Sequence, residues 1–265
     1  MKLGLCTIAF REKLLEDALN IAQQIGFDGV EIWGREPHIS EAYDDRRVRA
    51  ARKMVESRRL EVAMFGSYLR LGAPPPDEEE EVTMEAALQT TQSLATPICR
   101  VWAGNVPSRQ ATKEQWRKAV EELQRACAMA ANLDVVLAVE MHSGALTDTA
   151  SSTLRLFKDV GAGNLKVNYQ ASFGKGSEDA YGRLRAVLPH VVNVHAQNYR
   201  PGRANRDGRL ELVSLAEGLV DYKRVLKMLS AAGFQGFVEV EFIPPSAANK
   251  VKALARDYEY LRSLC

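Results

Sequence analysis

Eight short apolar runs alternate along this chain with eight longer amphipathic ones, and that alternation predicts an α/β fold: a single (β/α)8 TIM barrel over residues 1–265. Two further observations point the same way. A chain of 265 residues is the ordinary size of one such barrel. The short runs are apolar at nearly every position, as strands must be in a parallel sheet covered by helices.

The elements follow in order. KLGLCTIA (2–9) reads as the first strand, and LEDALNIAQQIG (15–26) as a helix with apolar residues three and four apart and Gly26 after its last turn. GVEIWG (29–34) and EVAMFGSY (61–68) are the second and third strands. The biased segment APPPDEEEEV (73–82) reads as a rigid, solvated loop that leads into the acidic first turn of a helix. PICRVWAG (97–104) is the fourth strand, followed by the long amphipathic stretch KEQWRKAVEELQRACAMAANLD. VVLAVEMH (135–142), NLKVNYQA (164–171) and VVNVHAQN (191–198) are the fifth to seventh. The segment 198–218 then reads as a long loop over the mouth, a candidate substrate lid. VDYKRVLKMLSAAG, ending in Gly233, and the strand GFVEVEFI (236–243) complete the series. GFDGVEIW and GFQGFVEVE repeat one construction near the two ends of the chain.

Lys+Arg 35 against Asp+Glu 34 gives a net charge of +1, so no global field draws the chain to nucleic acid or an anionic membrane. A small neutral or singly charged molecule is the expected partner. The apolar run LGLCTIAF is too short for a signal segment, and no run approaches the ~20 apolar residues of a membrane span. Cys6, Cys99, Cys127 and Cys265 are scattered with no CxxC pair, which argues against a zinc site or a disulfide framework and for a cytoplasmic protein. GxGxxG at a strand-to-helix turn, GxxxxGK[ST] and GxSxG are absent, so dinucleotide binding, nucleotide hydrolysis and a hydrolase nucleophile elbow lack support.

The chemistry concentrates at strand ends. Glu140, Gln170, His195 and Glu241 each close an apolar run with a side chain able to hold a divalent metal, and a barrel gathers those ends around one mouth. A carboxylate there is costly to bury without a cation or donors, so Glu140 and Glu241 either share a metal or each pair with a nearby arginine. His195 beside them gives a mixed nitrogen and oxygen set suited to Mn²⁺, Co²⁺ or Mg²⁺, with Zn²⁺ less favoured. The candidate substrate-binding residues are His142, Trp102, Trp33, Gln197, Arg200 and Arg206. His142 shares the face of Glu140 and serves equally as a proton relay or an outer hydrogen bonder. Trp33 and Trp102 could wall a pocket or pack between strand and helix. Arg200, Arg203, Arg206 and Arg209 recur every third residue and could meet a phosphate or carboxylate, or stand in solvent. His190 reads as structural.

These residues, in the order Glu on the fifth strand, an acid-type ligand on the sixth, His on the seventh and Glu on the eighth, together with GFDGVEIW and GFQGFVEVEF, resemble the xylose isomerase-like TIM barrels. That group includes sugar phosphate isomerases and epimerases and keto-inositol dehydratases. The resemblance implies that Glu140, Gln170, His195 and Glu241 hold one divalent metal, Mn²⁺ foremost, on two adjacent substrate oxygens, with Glu140 and Glu241 as the acid/base pair. It implies isomerisation or epimerisation of a sugar, sugar acid or polyol through an enediolate, and an oligomer is a fair expectation. Dehydration of a keto-polyol by the same groups is the alternative. The chain departs from the family's DxxH-like arrangement on the sixth strand, where Gln170 and Phe173 stand. Gln170 removes a negative charge from the ligand set, and this motivates a further alternative, a binding barrel that has lost catalysis.

Overall fold

The structure, a computed structural model, describes residues 1–265 apart from 41, 75–81, 172–176 and 203–209, and describes 177 and 178 by backbone alone. Its strands are β1 (Lys2–Cys6), β2 (Gly29–Trp33), β3 (Glu61–Leu71), β4 (Ile98–Ala103), β5 (Val136–Glu140), β6 (Leu165–Gln170), β7 (Val191–Ala196), β8 (Asn198–Pro201), β9 (Leu210–Val213) and β10 (Phe237–Val240). The helices are α1 (Leu15–Ile25), α2 (Asp45–Ser57), α3 (Met84–Ser93), α4 (Lys113–Ala131), α5 (Ala150–Val160), α6 (Ser177–Val187), α7 (Tyr222–Ala231) and α8 (Lys250–Arg262). Eight strands close into a parallel barrel in the order β1-β10-β7-β6-β5-β4-β3-β2. The alternation read from the sequence is therefore the chain's architecture.

Local chemistry sets the helix ends. Thr112 and Gln115 form a reciprocal capping box at the start of α4, and Asp44, Thr83, Asp221 and Asn249 cap their helices through side-chain oxygens. Gly26 stops α1 at φ 101°, a conformation costly for any residue with a Cβ.

One expectation changes. The segment after β7 is not a plain loop: β8 and β9 pair as an antiparallel ribbon, Asn198 opposite Val213 and Pro201 opposite Leu210. The buried Asn198 side chain anchors it by donating to the carbonyls of Leu215 (2.7 Å) and Val220 (2.8 Å). The acidic run 78–81 and the tip of the expected lid lie outside the described residues.

The barrel axis is polar, whereas the outer faces of the strands are apolar and packed under helices. Gly4 sits opposite Glu239, Glu239 opposite His195, and His195 opposite Gln170. Gly4 and Gly66 make room for this: a Cβ on Gly4 would lie 2.8 Å from Glu239 Cγ, and one on Gly66 only 2.2 Å from Glu31 Oε1. Between β3 and β4 the register shifts from Gly66↔Arg100 to Arg70↔Trp102, so residues 67–69 form a bulge. Bulges of this kind re-aim side chains beside active sites, and this one brings Tyr68 and Arg70 to the mouth.

Candidate active site

Glu140 is the last residue of β5, Gln170 the last of β6, His195 lies near the end of β7, and Glu241 follows β10. All four are buried. The structure brings together the set singled out in the sequence. One ligand atom from each of Glu140, His195 and Glu241 lies within 4.8 Å of the others. Gln170 Nε2 donates to Glu241 Oε2 at 2.8 Å. Its Oε1 is buried without a hydrogen-bond partner, an orphaned acceptor that fits a cation. The donor set therefore suits a divalent ion with oxygen and nitrogen ligands.

A second tier lies below. His195 stands between two carboxylates, Nε2 at 2.5 Å from Glu31 Oε2 and Nδ1 at 3.4 Å from Glu241 Oε1. Asn193 donates to Glu239 Oε2 (2.7 Å) and to Asn168 Oδ1 (3.1 Å), and Asn168 Nδ2 lies 3.2 Å from the His195 ring nitrogens. Arg100 Nη1 reaches Glu140 Oε2 at 2.8 Å and Glu31 Oε1 at 3.7 Å, and its Nη2 donates to the Gly66 carbonyl. Of the two readings left open for Glu140, the arginine pair is present, yet it leaves the carboxylate at the mouth beside Glu241.

Burial governs the protonation of this tier. It pushes Glu239 up to about 8, with the negative charge of Glu31 adding to the effect, so Glu239 keeps its proton at neutral pH. Burial also raises Glu140, against the opposing pull of Arg100 and His195. For Glu31 burial works in the same direction, but His195 and Arg100 together outweigh it and hold the carboxyl below its ordinary value. His195 is the mirror case: burial opposes its charge, and Glu31 and Glu241 raise it well above an ordinary imidazole. With Glu239 neutral, three carboxylates face Arg100 and His195. That balance leaves room for added positive charge.

Above these groups lies a cavity of about 200 Å³. Glu140, Gln170 and Glu241 form its floor, and Tyr68, Arg70, Trp102, His142, Gln197 and Tyr199 form its sides. The Arg70 guanidinium lies 4.8 Å from the Trp102 ring centre, and the His142 ring meets Trp102 edge-on at 4.9 Å. Tyr199 donates to Gln197 Oε1 at 2.5 Å.

Three of the residues expected to touch substrate, Trp102, His142 and Gln197, line this cavity. Trp33 stands behind it and donates from Nε1 to the Tyr68 hydroxyl at 2.9 Å. Arg200 pairs with Glu211 (2.8 Å) on the ribbon and with Glu217 (3.3 Å) just after it, and is not among the lining residues. Arg203, Arg206, Arg209 and Phe173 lie outside the described residues. His190 ends a short turn before β7 with its ring against Phe157, and buried His38 is held by Thr7 and the Lys13 carbonyl. Sequence reading passed over Glu31, Arg100, Glu239, Asn168 and Asn193. Three of these carried a usable signal: 239, 193 and 168 precede 241, 195 and 170 by two, the spacing that puts strand residues on one face.

The xylose isomerase-like TIM barrel family matches residues 19–264. The chain belongs to that family. It is 26% identical to the 3-dehydroshikimate dehydratase of Bacillus anthracis, over 96% of this chain and 95% of the relative. It is 22% identical to an L-ribulose-5-phosphate 3-epimerase of Escherichia coli, over 93% of this chain and 88% of that one. The fold superposes on a xylose isomerase-like TIM barrel protein from Mycobacterium smegmatis in complex with magnesium, with a TM-score of 0.75 at 15% identity over 99% and 96% of the two chains. These relatives include epimerases and a dehydratase, all built on this barrel. Among the described residues, no helix is long and apolar enough to cross a membrane.

Proposed function

We propose that this chain is a divalent-metal-dependent isomerase or epimerase of a small polyhydroxylated carbonyl compound, acting by proton transfer at the carbon beside the carbonyl. The observation that carries the reading is the convergence of two buried carboxylates, Glu140 and Glu241, at one cavity, with a ligand atom of His195 within 4.8 Å of both. Glu140, Gln170, His195 and Glu241 would hold the ion. When bound, a divalent ion polarises a carbonyl and its neighbouring hydroxyl and so makes the intervening C–H more acidic. The chain's own groups do the rest. Glu140 and Glu241 serve as the proton acceptor and donor, because a carboxylate held against the substrate at each side of one carbon can remove a proton from one face and return it to the other. Tyr68, Trp102 and His142 exclude water above the reacting carbon and orient the substrate's hydroxyls.

Dehydration is the second reading, and the two guanidinium groups at the cavity favour it. Arg70 and Arg100 beside Trp102 suit an anionic substrate, and the dehydratase relative is similar over nearly the whole chain. The same proton abstraction followed by loss of a β-hydroxyl would give the unsaturated product. Manganese is the ion we expect, and a cytoplasmic setting agrees with four free cysteines, three of them buried.

Elemental analysis of the purified chain beside Glu241→Gln, followed by Mn²⁺ re-addition after chelation, tests the site. Near-stoichiometric metal that is lost in the variant is expected. Deuterium uptake from solvent into ketoses, or dehydration of 3-dehydroshikimate, then separates the two reactions. No metal in either protein, and no exchange with any substrate, would leave the barrel as a binding subunit without catalysis.

A further inference from the structure

Among the described residues, two overlapping groups along the axis could hold an ion, and they share His195: Glu140, His195 and Glu241 above, and Cys6, Glu31 and His195 below. The ring nitrogens divide them. Nδ1 lies 3.4 Å from Glu241 Oε1, on the side of the upper group, whereas Nε2 lies 2.5 Å from Glu31 Oε2. Only the upper group borders the cavity, through Glu140 and Glu241, so only an ion held there can meet substrate. This rests on the metal-dependent reading above.

We infer that Glu31 is not a ligand but the positioning residue for one: its carboxylate accepts the Nε2 proton of His195 and fixes the tautomer whose Nδ1 lone pair faces Glu140 and Glu241. A ring nitrogen that ligates a metal is oriented by the hydrogen bond its partner nitrogen donates, and a carboxylate acceptor also raises the ligand's basicity. Glu31 is built to stay in place. It is fully buried at the centre of β2, Arg100 Nη1 stands 3.7 Å from its Oε1, and the bare backbone of Gly66 packs against that same oxygen. Replacing Gly66 with any residue bearing a Cβ would displace it. The arginine that pairs with Glu140 thus also ties Glu31 to the catalytic floor.

The first test needs no variant. ¹⁵N NMR of the wild-type chain loaded with Zn²⁺, a diamagnetic probe for a nitrogen and oxygen site, reports which ring nitrogen of His195 carries metal; only four histidines have to be assigned. Metal on Nδ1 and a proton on Nε2 are expected, and metal on Nε2 overturns the inference. The second test is Mn²⁺ titration. Glu31→Ala should weaken binding by about 10- to 100-fold, with partial recovery in Glu31→Gln, whose amide oxygen can still accept the proton, while Cys6→Ser binds as wild type. Unchanged affinity in Glu31→Ala, or lost affinity in Cys6→Ser, overturns the inference alone. Absence of binding by wild type overturns the metal-dependent reading and the inference with it.

Discussion

The two halves of the barrel mouth are built from opposite chemistry. On β5, β6, β7 and after β10 the inward groups are Glu140, Gln170, His195 and Glu241, which offer lone pairs and negative charge. On β3 and β4 they are Tyr68, Arg70, Arg100 and Trp102, which offer cationic donors and aromatic faces. The acidic half can hold a cation and move protons, and the basic half can grip an oxygen-rich or anionic substrate. Arg100 is the seam, since it grows from the basic side and bonds to a carboxylate of the acidic one.

The largest effect belongs to the acidic half. Glu140→Gln and Glu241→Gln each preserve shape while removing the proton acceptor, so turnover should fall by about 10²–10⁴-fold with the circular dichroism spectrum unchanged. Turnover within a few-fold of wild type in either variant would remove that residue from the acid/base pair.

The seam comes next. Arg100 is 2% exposed, and deleting it strands Glu140 without its buried cation and leaves Glu31 with His195 alone. Breaking a buried pair by removing one partner costs about 3–5 kcal/mol. Urea unfolding of Arg100→Ala should show a loss of that order, with added Mn²⁺ restoring part of it if the metal supplies the missing positive charge. A loss under 1 kcal/mol would mean that the axis tolerates uncompensated carboxylates and that Arg100 is not the seam.

The two halves also differ in how far the sequence revealed them. The acidic half was legible because each of its members closes an apolar run, and closing a strand in a barrel means facing the mouth. Of the basic half, Trp102 was legible as an aromatic at a strand end, and its charged and hydroxyl groups were not. Arg100 sits inside ICRVWA, where one charge in an apolar run gives no hint of the carboxylates that neutralise it from β2 and β5. Tyr68 and Arg70 reach the mouth only through the bulge in β3, and a bulge is fixed by pairing with β4 rather than by local sequence. The barrel itself was readable from the alternation of runs. The ribbon of β8 and β9 was not, because four-residue strands with Pro201 in one of them fall below the length at which a pattern is distinct.

The arginines give the sharpest comparison. Arg70 lines the cavity, so Arg70→Ala should raise KM by roughly 10- to 100-fold if the guanidinium contacts an anionic substrate, the range expected for a charge-assisted hydrogen bond of about 1.5–3 kcal/mol.

Arg200, singled out in the sequence for the same role, should matter least. Its side chain is about one-third exposed and paired with Glu211 on the ribbon and Glu217 just after it. Pairs of that kind contribute about 0–1 kcal/mol, because water screens the charges and holding two long side chains in one geometry costs entropy. Arg200→Ala should therefore leave KM and turnover near wild type and change unfolding free energy by under about 1 kcal/mol. Steady-state kinetics on Arg70→Ala and Arg200→Ala side by side decide between them. A raised KM in Arg200→Ala with none in Arg70→Ala would move the substrate grip from the bulged strand to the ribbon, and the basic half of the mouth would then be a support for Glu140 rather than a binding surface.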